Sequence, residues 1–157
     1  MTEEYNPASE FVVMVVNGEV PLTGSEFAET NLRRLLEYMG DGDVSNRDWA
    51  TFHLAHTGID TSEVRAAFHL RLVDEDPTVQ EEAMLGLALR RDRSALPLMR
   101  DWLRSRPISQ ITLEAAEAFA DGSLCSLLSG RCPPLDDEFL TYLWKEAYKS
   151  CGCGTSP

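Results

Sequence analysis

The sequence predicts an all-α protein, a short right-handed α-solenoid of about three helical hairpins with a C-terminal capping helix. The main observation is a pattern written twice, over residues 47–72 and again over residues 80–103, in which Ala50 and Ala83 occupy equivalent positions. Each copy has the apolar spacing of two amphipathic helices joined by a short turn, which is the unit of an α-solenoid. Helix-forming residues dominate the middle of the chain, and β-branched residues are sparse outside residues 11–16, which favours helices over strands.

The first elements are less regular than the hairpins. Residues 1–7 form an acidic stretch for which we predict a loose N-terminus. The apolar segment over residues 8–17 is open between a strand, which its valines favour, and a helix opened by Ser9. We favour a short helix, because the chain offers no second strand to pair with it. A further helix is predicted over about residues 25–39, with Ser25 as its cap.

The hairpins follow, and in each of them we name the first helix A and the second helix B. Asp76 can cap the second helix A, and Pro77 suits its first position, where a missing N–H costs nothing. Ser94 can cap the second helix B. Small residues such as Ala50 and Ala83 allow stacked helices to approach closely. The predicted helices cover about residues 46–56, 61–73, 77–90 and 95–104, with a shorter third copy over 113–120 and 123–128.

The last helix begins near residues 136–138 and carries one apolar face and one charged face. An end helix with a polar side is what a solenoid needs to cover its exposed terminus. We predict a flexible tail over residues 151–157 and a single domain over residues 1–157.

The charge restricts the choice of partner. The chain carries 26 acidic and 14 basic residues, for a formal net charge of -12. Such a field repels phosphate groups, so we expect no nucleic acid partner, and it attracts basic proteins. The longest apolar run has six residues, far below the ~20 that cross a bilayer, so no membrane partner is expected. The predicted location is the cytoplasm, with reduced thiols.

These segments resemble HEAT repeats, in particular the short HEAT-like repeats of bacterial proteins named after phycobilisome lyases. The residues that carry the resemblance lie over 47–54, 76–88 and 95–98, including the Asp76-Pro77 start and the Leu96-Pro97-Leu98 run. The similar region covers roughly residues 40–128. The resemblance implies an armadillo-type fold and a curved helical scaffold for protein–protein contacts.

Enzymes built on such repeats do not match this chain. HEAT-like deoxyhypusine hydroxylases hold a di-iron centre with His-Glu pairs, whereas His53, His56 and His69 are followed by Leu, Thr and Leu. HEAT-like DNA glycosylases present a basic face, and a lyase function would rest on the family label alone. His53 and His56 share a helix face without a third metal ligand at a fixed spacing nearby. The four cysteines match neither a zinc site nor a redox motif. We therefore predict no catalytic residue, cofactor or metal, and no enzyme.

The expected contact residues are large or basic side chains near the concave helix-B face. Trp49 aligns with Glu82, a polar position in the other copy, so it is expected to be exposed, and Trp and Arg often anchor interfaces. A basic strip between residues 90 and 106 can grip an acidic segment, or its arginines can pair with neighbouring carboxylates. The predicted partner-binding residues are Trp49, His53, Arg65, His69, Arg100 and Arg104.

Three functions follow from these observations. The first is a non-enzymatic scaffold that binds a protein or peptide on its helix-B face. The second is an immunity-type or inhibitory partner of a basic protein, such as a toxin nuclease, which the small size and the negative charge favour. The third is a lyase-like or metal-binding protein that uses His53, His56 or the thiols near the C-terminus. The sequence does not predict the oligomeric state.

Overall fold

A computed structural model describes residues 5–133 and 136–154. Over these residues the chain forms nine α-helices and two short 3-10 helices and contains no strand, so the all-α class is confirmed. The 3-10 helices cover Arg93–Ala95 and Gly122–Leu124. The α-helices are α1 (Glu10–Val16), α2 (Ala28–Tyr38), α3 (Val44–Ala55), α4 (Ser62–Arg71), α5 (Pro77–Leu89), α6 (Leu96–Ser105), α7 (Gln110–Phe119), α8 (Cys125–Ser129) and α9 (Glu138–Ser150).

The helices lie within one to three residues of their predicted positions. The segment over residues 8–17, for which the sequence fits either a strand or a helix, forms the helix α1. The two repeated hairpins are α3 with α4 and α5 with α6, and the shorter third copy is α7 with α8. Fraying and capping account for differences of this size at helix ends.

Two compact units divide the chain, Met1–Ala83 and Met84–Pro157, and the boundary falls inside α5. In the first unit, α1 and α2 both pack against α3. Its core consists of apolar side chains that are shielded almost completely from solvent, among them Val12, Leu35, Met39, Ala50, Leu54, Val64 and Phe68. The repeated alanine of helix A therefore occupies a core position, as the sequence predicts. The prediction of a single domain stays a prediction.

The second unit is built mainly around the contact of α7 with α9, and α6 adds contacts with α7 and α8. Its core includes Met99, Leu103, Leu113, Ala116, Leu124, Leu128, Leu143 and Ala147. The predicted apolar face of the last helix is thus partly correct. Leu143 and Ala147 are buried, whereas Phe139 is more than half exposed.

An Asp-x-Ser motif recurs at three helix starts. Asp43 accepts hydrogen bonds from the backbone N–H of Ser45 at 2.8 Å and from its hydroxyl at 2.6 Å. Asp92 binds Ser94 in the same way, at 3.1 and 2.6 Å. Asp121 accepts from the backbone N–H of Ser123, and in all three motifs the backbone bond satisfies an N–H that the helix itself leaves open. The predicted cap Ser94 is therefore wrong, because Asp92 caps the 3-10 turn that precedes α6.

A buried ion cluster fastens the start of α3 to the loop after α4. The carboxylate of Asp74 is only 2 % exposed, and it accepts hydrogen bonds from Arg47 Nη2 at 3.0 Å and from Arg71 Nη1 at 2.9 Å. The Nε of Arg47 also donates to Asp74, at 3.1 Å. The backbone N–H of Asp76 adds a third donor group at 3.1 Å. Burial alone would raise the pKa of Asp74, but these donors outweigh it and lower the pKa.

The C-terminal segment differs from its prediction. Residues 155–157 lie outside the described residues, but the predicted flexible tail also contains Cys151 and Cys153, which are both buried. Cys153 forms a disulfide with Cys125, with the Cα atoms 5.2 Å apart. The thiol of Cys151 is buried and donates a hydrogen bond to the carbonyl of Ala116 at 3.4 Å. The prediction that the thiols are reduced is therefore wrong for two of the four cysteines.

Candidate functional site

The exposed face of α3 carries an aromatic side chain at each turn. The buried face of this helix presents Ala50 and Leu54 to the core, and the helical period places Trp49 and Phe52 on the other side. With Tyr5 from the N-terminal segment and two side chains from α5, these residues surround a cavity of about 150 Å³. We call this cavity the aromatic–acidic pocket. Its lining consists of Tyr5, Asp48, Trp49, Phe52, Thr78 and Glu82.

The aromatic rings of the pocket contact one another in sequence. The rings of Tyr5 and Trp49 have their centroids 6.4 Å apart, with an angle of 26° between their planes. Phe52 meets Trp49 edge to face, at 5.9 Å and 84°. His56 continues the row, 4.6 Å from Phe52. Because Tyr5 is 56 % exposed and Phe52 is 39 % exposed, the row offers its rings to a partner.

Negative charge gathers beside these rings. Burial raises the pKa of Asp48, and the nearby carboxylate of Asp76 raises it further. The hydroxyl of Tyr5 donates a hydrogen bond to Asp48. Burial, that contact and the charges of Asp48, Asp76 and Asp43 together raise the pKa of Tyr5 to about 12. Glu82 adds a buried carboxylate to the lining. The pocket is therefore electrically suited to a cation.

A buried N–H donor of the pocket lining lacks a hydrogen-bond partner among the described residues. The indole Nε1 of Trp49 is buried, and no described residue accepts a hydrogen bond from it. An unsatisfied buried donor costs ~1–3 kcal/mol, so native proteins keep few of them, and functional sites are one place where they occur. Trp49 thus lies in a half-buried aromatic cluster on the surface, although its role in binding stays a prediction.

His53 faces a different cavity of the first unit. This cavity measures about 580 Å³ and is lined mainly by apolar residues, among them Val15, Val20, Leu22 and Ile59. Burial lowers the pKa of His53, and the positive charge that His56 can carry lowers it further. The imidazole is therefore mostly neutral at pH 7. His53 does not join Trp49 in the aromatic–acidic pocket.

The predicted arginines contact polar groups of their own chain. Arg65 donates two hydrogen bonds to the carboxylate of Asp60, at 2.7 and 2.8 Å. Arg104 pairs with Asp101 at 2.8 Å, and Arg100 donates to the hydroxyl of Ser123 at 3.1 Å.

These pairs leave the predicted contact set scattered. His69 is half-buried on α4, in the first unit with Arg65, whereas Arg100 and Arg104 belong to the second unit. Exposed ion pairs of this kind contribute ~0–1 kcal/mol, and a partner can displace them. The binding role of all four residues stays a prediction.

Five residues of the pocket, Thr78 among them, are not among the contact residues predicted from the sequence. Asp48 and Phe52 stand four positions apart on α3, a spacing that places both on the side of Trp49, and this signal was available. Glu82 follows 33 positions after Trp49 and was noted only as its counterpart. Tyr5 lies in the segment predicted to be loose. It stacks on Trp49, which is 44 positions away in the sequence.

Two absences hold for the part of the chain that the structure describes. No group of three or more His, Cys, Asp or Glu side chains has a geometry that could hold a metal ion. Within the same residues, no helix combines the length and the apolar character that crossing a membrane requires.

Comparisons with known proteins agree with the repeated hairpins. A family model described as HEAT repeats matches residues 32–120, which is more than half of the chain. Protein YibA of Escherichia coli K12 is 29 % identical over 132 residues, which cover 83 % of this chain and 43 % of YibA. The YibA of strain O157:H7 gives the same values. The chain thus spans less than half the length of the curated relatives it matches.

A solved structure supports the same fold. The X-ray structure of YibA superposes with a TM-score of 0.65 at 22 % identity, over 87 % of this chain and 54 % of that one. At this identity the likeness bears on the fold alone. The helical hairpins, the family match and this likeness lead to one conclusion: the chain belongs to the HEAT-repeat family and has an α-solenoid fold.

Proposed function

We propose that this protein is a non-enzymatic binding module that holds a basic segment of another protein against the aromatic–acidic pocket. HEAT repeats generally mediate protein interactions, and the family is generally non-catalytic. The observation that carries the proposal is the exposed row formed by Tyr5, Trp49 and Phe52 beside the carboxylates of Asp48 and Glu82. Aromatic side chains are enriched at interface centres, and surrounding acidic groups select a partner of opposite charge.

The proposal differs from the sequence prediction in the surface it uses. The sequence pointed to the helix-B face, with Arg65, His69, Arg100 and Arg104, but the arginines there are engaged with groups of their own chain. The pocket lies on helix A of the first repeated hairpin. Of the predicted contact residues it retains Trp49.

A capture experiment separates the two surfaces. The tagged protein is used as bait in native lysate, and the captured proteins are quantified by mass spectrometry. We expect one basic protein to be lost with Phe52→Ala and with Asp48→Asn, because each change removes part of the pocket lining. Phe139→Ala is the matched control, since Phe139 is also an exposed aromatic residue but lies on α9. Its capture should equal that of the unchanged protein.

Two results would contradict the assignment. Capture that survives both pocket substitutions would remove the pocket from the interface. Loss with Arg100→Glu alone would move the interface to the helix-B face. Capture should also weaken as salt is raised, because opposite charges between partially exposed groups are screened within ~8 Å at physiological ionic strength.

A second candidate is an inhibitory partner of a basic protein, of the immunity type. It rests on the net charge of -12 over a small helical scaffold, which favours fast and salt-sensitive association with a basic target. Protection of cells that express a toxin encoded by a neighbouring gene would support this role. Failure to protect, together with capture of a protein that is not a toxin, would leave the general binding module.

A cytoplasmic location is part of the proposal, and the disulfide provides its test. The cytoplasm keeps most thiols reduced, so Cys125 and Cys153 would both be free there. Alkylation of thiols in intact cells, followed by mass spectrometry, distinguishes the two states. Modification of both cysteines would support the cytoplasm and would contradict the Cys125–Cys153 bond in the cell, whereas a protected pair would agree with that bond and indicate an oxidising compartment.

A further inference from the structure

We propose that the aromatic–acidic pocket binds the side chain of one arginine from the partner protein. This inference rests on the proposed function, because it names the group that the binding surface would recognise. The pocket brings together three aromatic rings and two carboxylates within the first unit, and a guanidinium group is complementary to both.

The size of the pocket suits a single side chain. Its volume is about 150 Å³. Pockets for drug-sized ligands and cofactors measure ~300–1,000 Å³. The head group and the last methylenes of a long side chain fill the smaller space, while the partner's backbone stays outside.

The rings favour a flat cation. The planes of Tyr5 and Trp49 differ by only 26°, so both rings offer faces in similar directions. A guanidinium group is planar and stacks on aromatic faces, whereas an ammonium group is compact and strongly hydrated. Two arginines of the described chain make this contact internally, since the Cζ atom of Arg34 lies 4.2 Å from the centroid of Phe11 and that of Arg106 lies 4.0 Å from the centroid of Trp102.

The carboxylates supply the complementary charge. Asp48 is half-buried and accepts one hydrogen bond from Tyr5, and a carboxylate can accept up to about four. The carboxylate of Asp76 lies near enough to raise the pKa of Asp48, and it carries the same sign of charge. A guanidinium group can donate two parallel hydrogen bonds to one carboxylate and relieve this repulsion. Glu82 stands in the lining as a second acidic group.

The experiment uses a minimal probe of the side chain. The full-length protein is titrated with Nα-acetyl-arginine amide, and the indole N–H resonance of Trp49 is followed by NMR after assignment through Trp49→Phe. We expect a saturable shift of this resonance in the millimolar range. The citrulline analogue has nearly the same shape without the charge, and the lysine analogue has the charge without the planar group. Both should bind about ten-fold more weakly than the arginine probe.

Substitutions connect the shift to the pocket. Asp48→Asn should weaken the arginine probe about ten-fold, because it removes the charge that pairs with the guanidinium group. Phe52→Leu keeps an apolar side chain but removes a ring, and it should weaken binding as well. Asp101→Asn is the matched control, because Asp101 is an exposed carboxylate of the second unit, and it should bind the probe unchanged. Amide spectra of each variant verify that it is folded.

Three outcomes would overturn the inference. Citrulline binding as tightly as arginine would exclude recognition of charge, and lysine binding as tightly would exclude recognition of the planar group. No saturable shift with arginine would overturn it too, even if a partner is captured through Phe52, and the proposed function would then stand alone. Arginine binding without any captured partner would instead count against the proposed function.

Discussion

Neutralising Asp74 tests whether the buried ion cluster is essential to the first unit. The Asp74→Asn substitution keeps the shape and one carbonyl acceptor but removes the charge shared by Arg47 and Arg71. The side chain of Arg47 is only 12 % exposed, so its charge would be left largely buried without a counter-ion. Breaking such a buried pair costs ~3–5 kcal/mol, and the retained acceptor places the expected loss near ~3 kcal/mol.

The loss is measured by urea unfolding at pH 7, followed by far-UV circular dichroism and tryptophan fluorescence. In a chain of this length, ~3 kcal/mol also lowers the melting temperature by roughly 6–12 °C. The matched control is Glu29→Gln, which breaks an exposed pair with Arg33 in the same unit and should cost at most ~1 kcal/mol.

The pH dependence has a definite sign. Because the folded state lowers the pKa of Asp74, the cluster contributes its stability above the ordinary pKa of the carboxyl and loses it as the pH falls through the lowered value. The difference between the unchanged protein and Asp74→Asn should therefore be constant near neutral pH and should shrink below pH ~4. A loss below ~1 kcal/mol at pH 7, or a difference that does not narrow in acid, would refute this reasoning.

Three further predictions concern the core, the disulfide and the buried histidine. Leu85→Asp should abolish the helical circular dichroism signal, because a buried carboxylate costs several kcal/mol, whereas Leu89→Asp on the exposed side of the same helix should leave it intact. Cys153→Ser should lower the unfolding free energy by about 3.5 kcal/mol under non-reducing conditions, since the bond to Cys125 closes a loop with a separation of 28 residues, and equal stability of the two proteins would count against this pairing. His53 should titrate by NMR with a pKa below its ordinary value. As the pH drops below ~6.5, the protein should lose stability, because the unfolded chain binds a proton at His53 that the folded chain resists. An ordinary pKa for His53 would contradict its burial.

The helices could be predicted because their signals are local. A helical period, an Asp-Pro start and a repeated alanine are readable within a few residues, and α5 accordingly begins at Pro77 as expected. The type of α1 was open because a short run of valines fits a strand as well as a buried helix. The segment is a helix that packs against α3, and this contact joins distant parts of the sequence, so no local pattern reveals it.

The contacts that build the pocket and the disulfide could not be predicted in this way. Cys125 and Cys153 are 28 positions apart, and no spacing rule selects this pair among the four cysteines. Tyr5 and Trp49 are 44 positions apart in the sequence, so the acidic segment that contains Tyr5 carries no local signal of their stacking. The local pairing of Arg104 with Asp101 was an alternative visible in the sequence, because the two residues are three positions apart on one helix.

The contacts that the arginines make within the chain bear on the charge of the surface that a partner would meet. Eleven of the twelve arginines contact a carboxylate, a hydroxyl, a carbonyl or an aromatic ring of the described chain. They are Arg33, Arg34, Arg47, Arg65, Arg71, Arg90, Arg93, Arg100, Arg104, Arg106 and Arg131. Several of these arginines pair with carboxylates, and Arg47 and Arg71 share one of them, Asp74. The chain as a whole keeps its formal excess of 12 negative charges. This excess supports the proposal of a basic protein as the partner, because such a protein can neutralise it and shield the aromatic row from water.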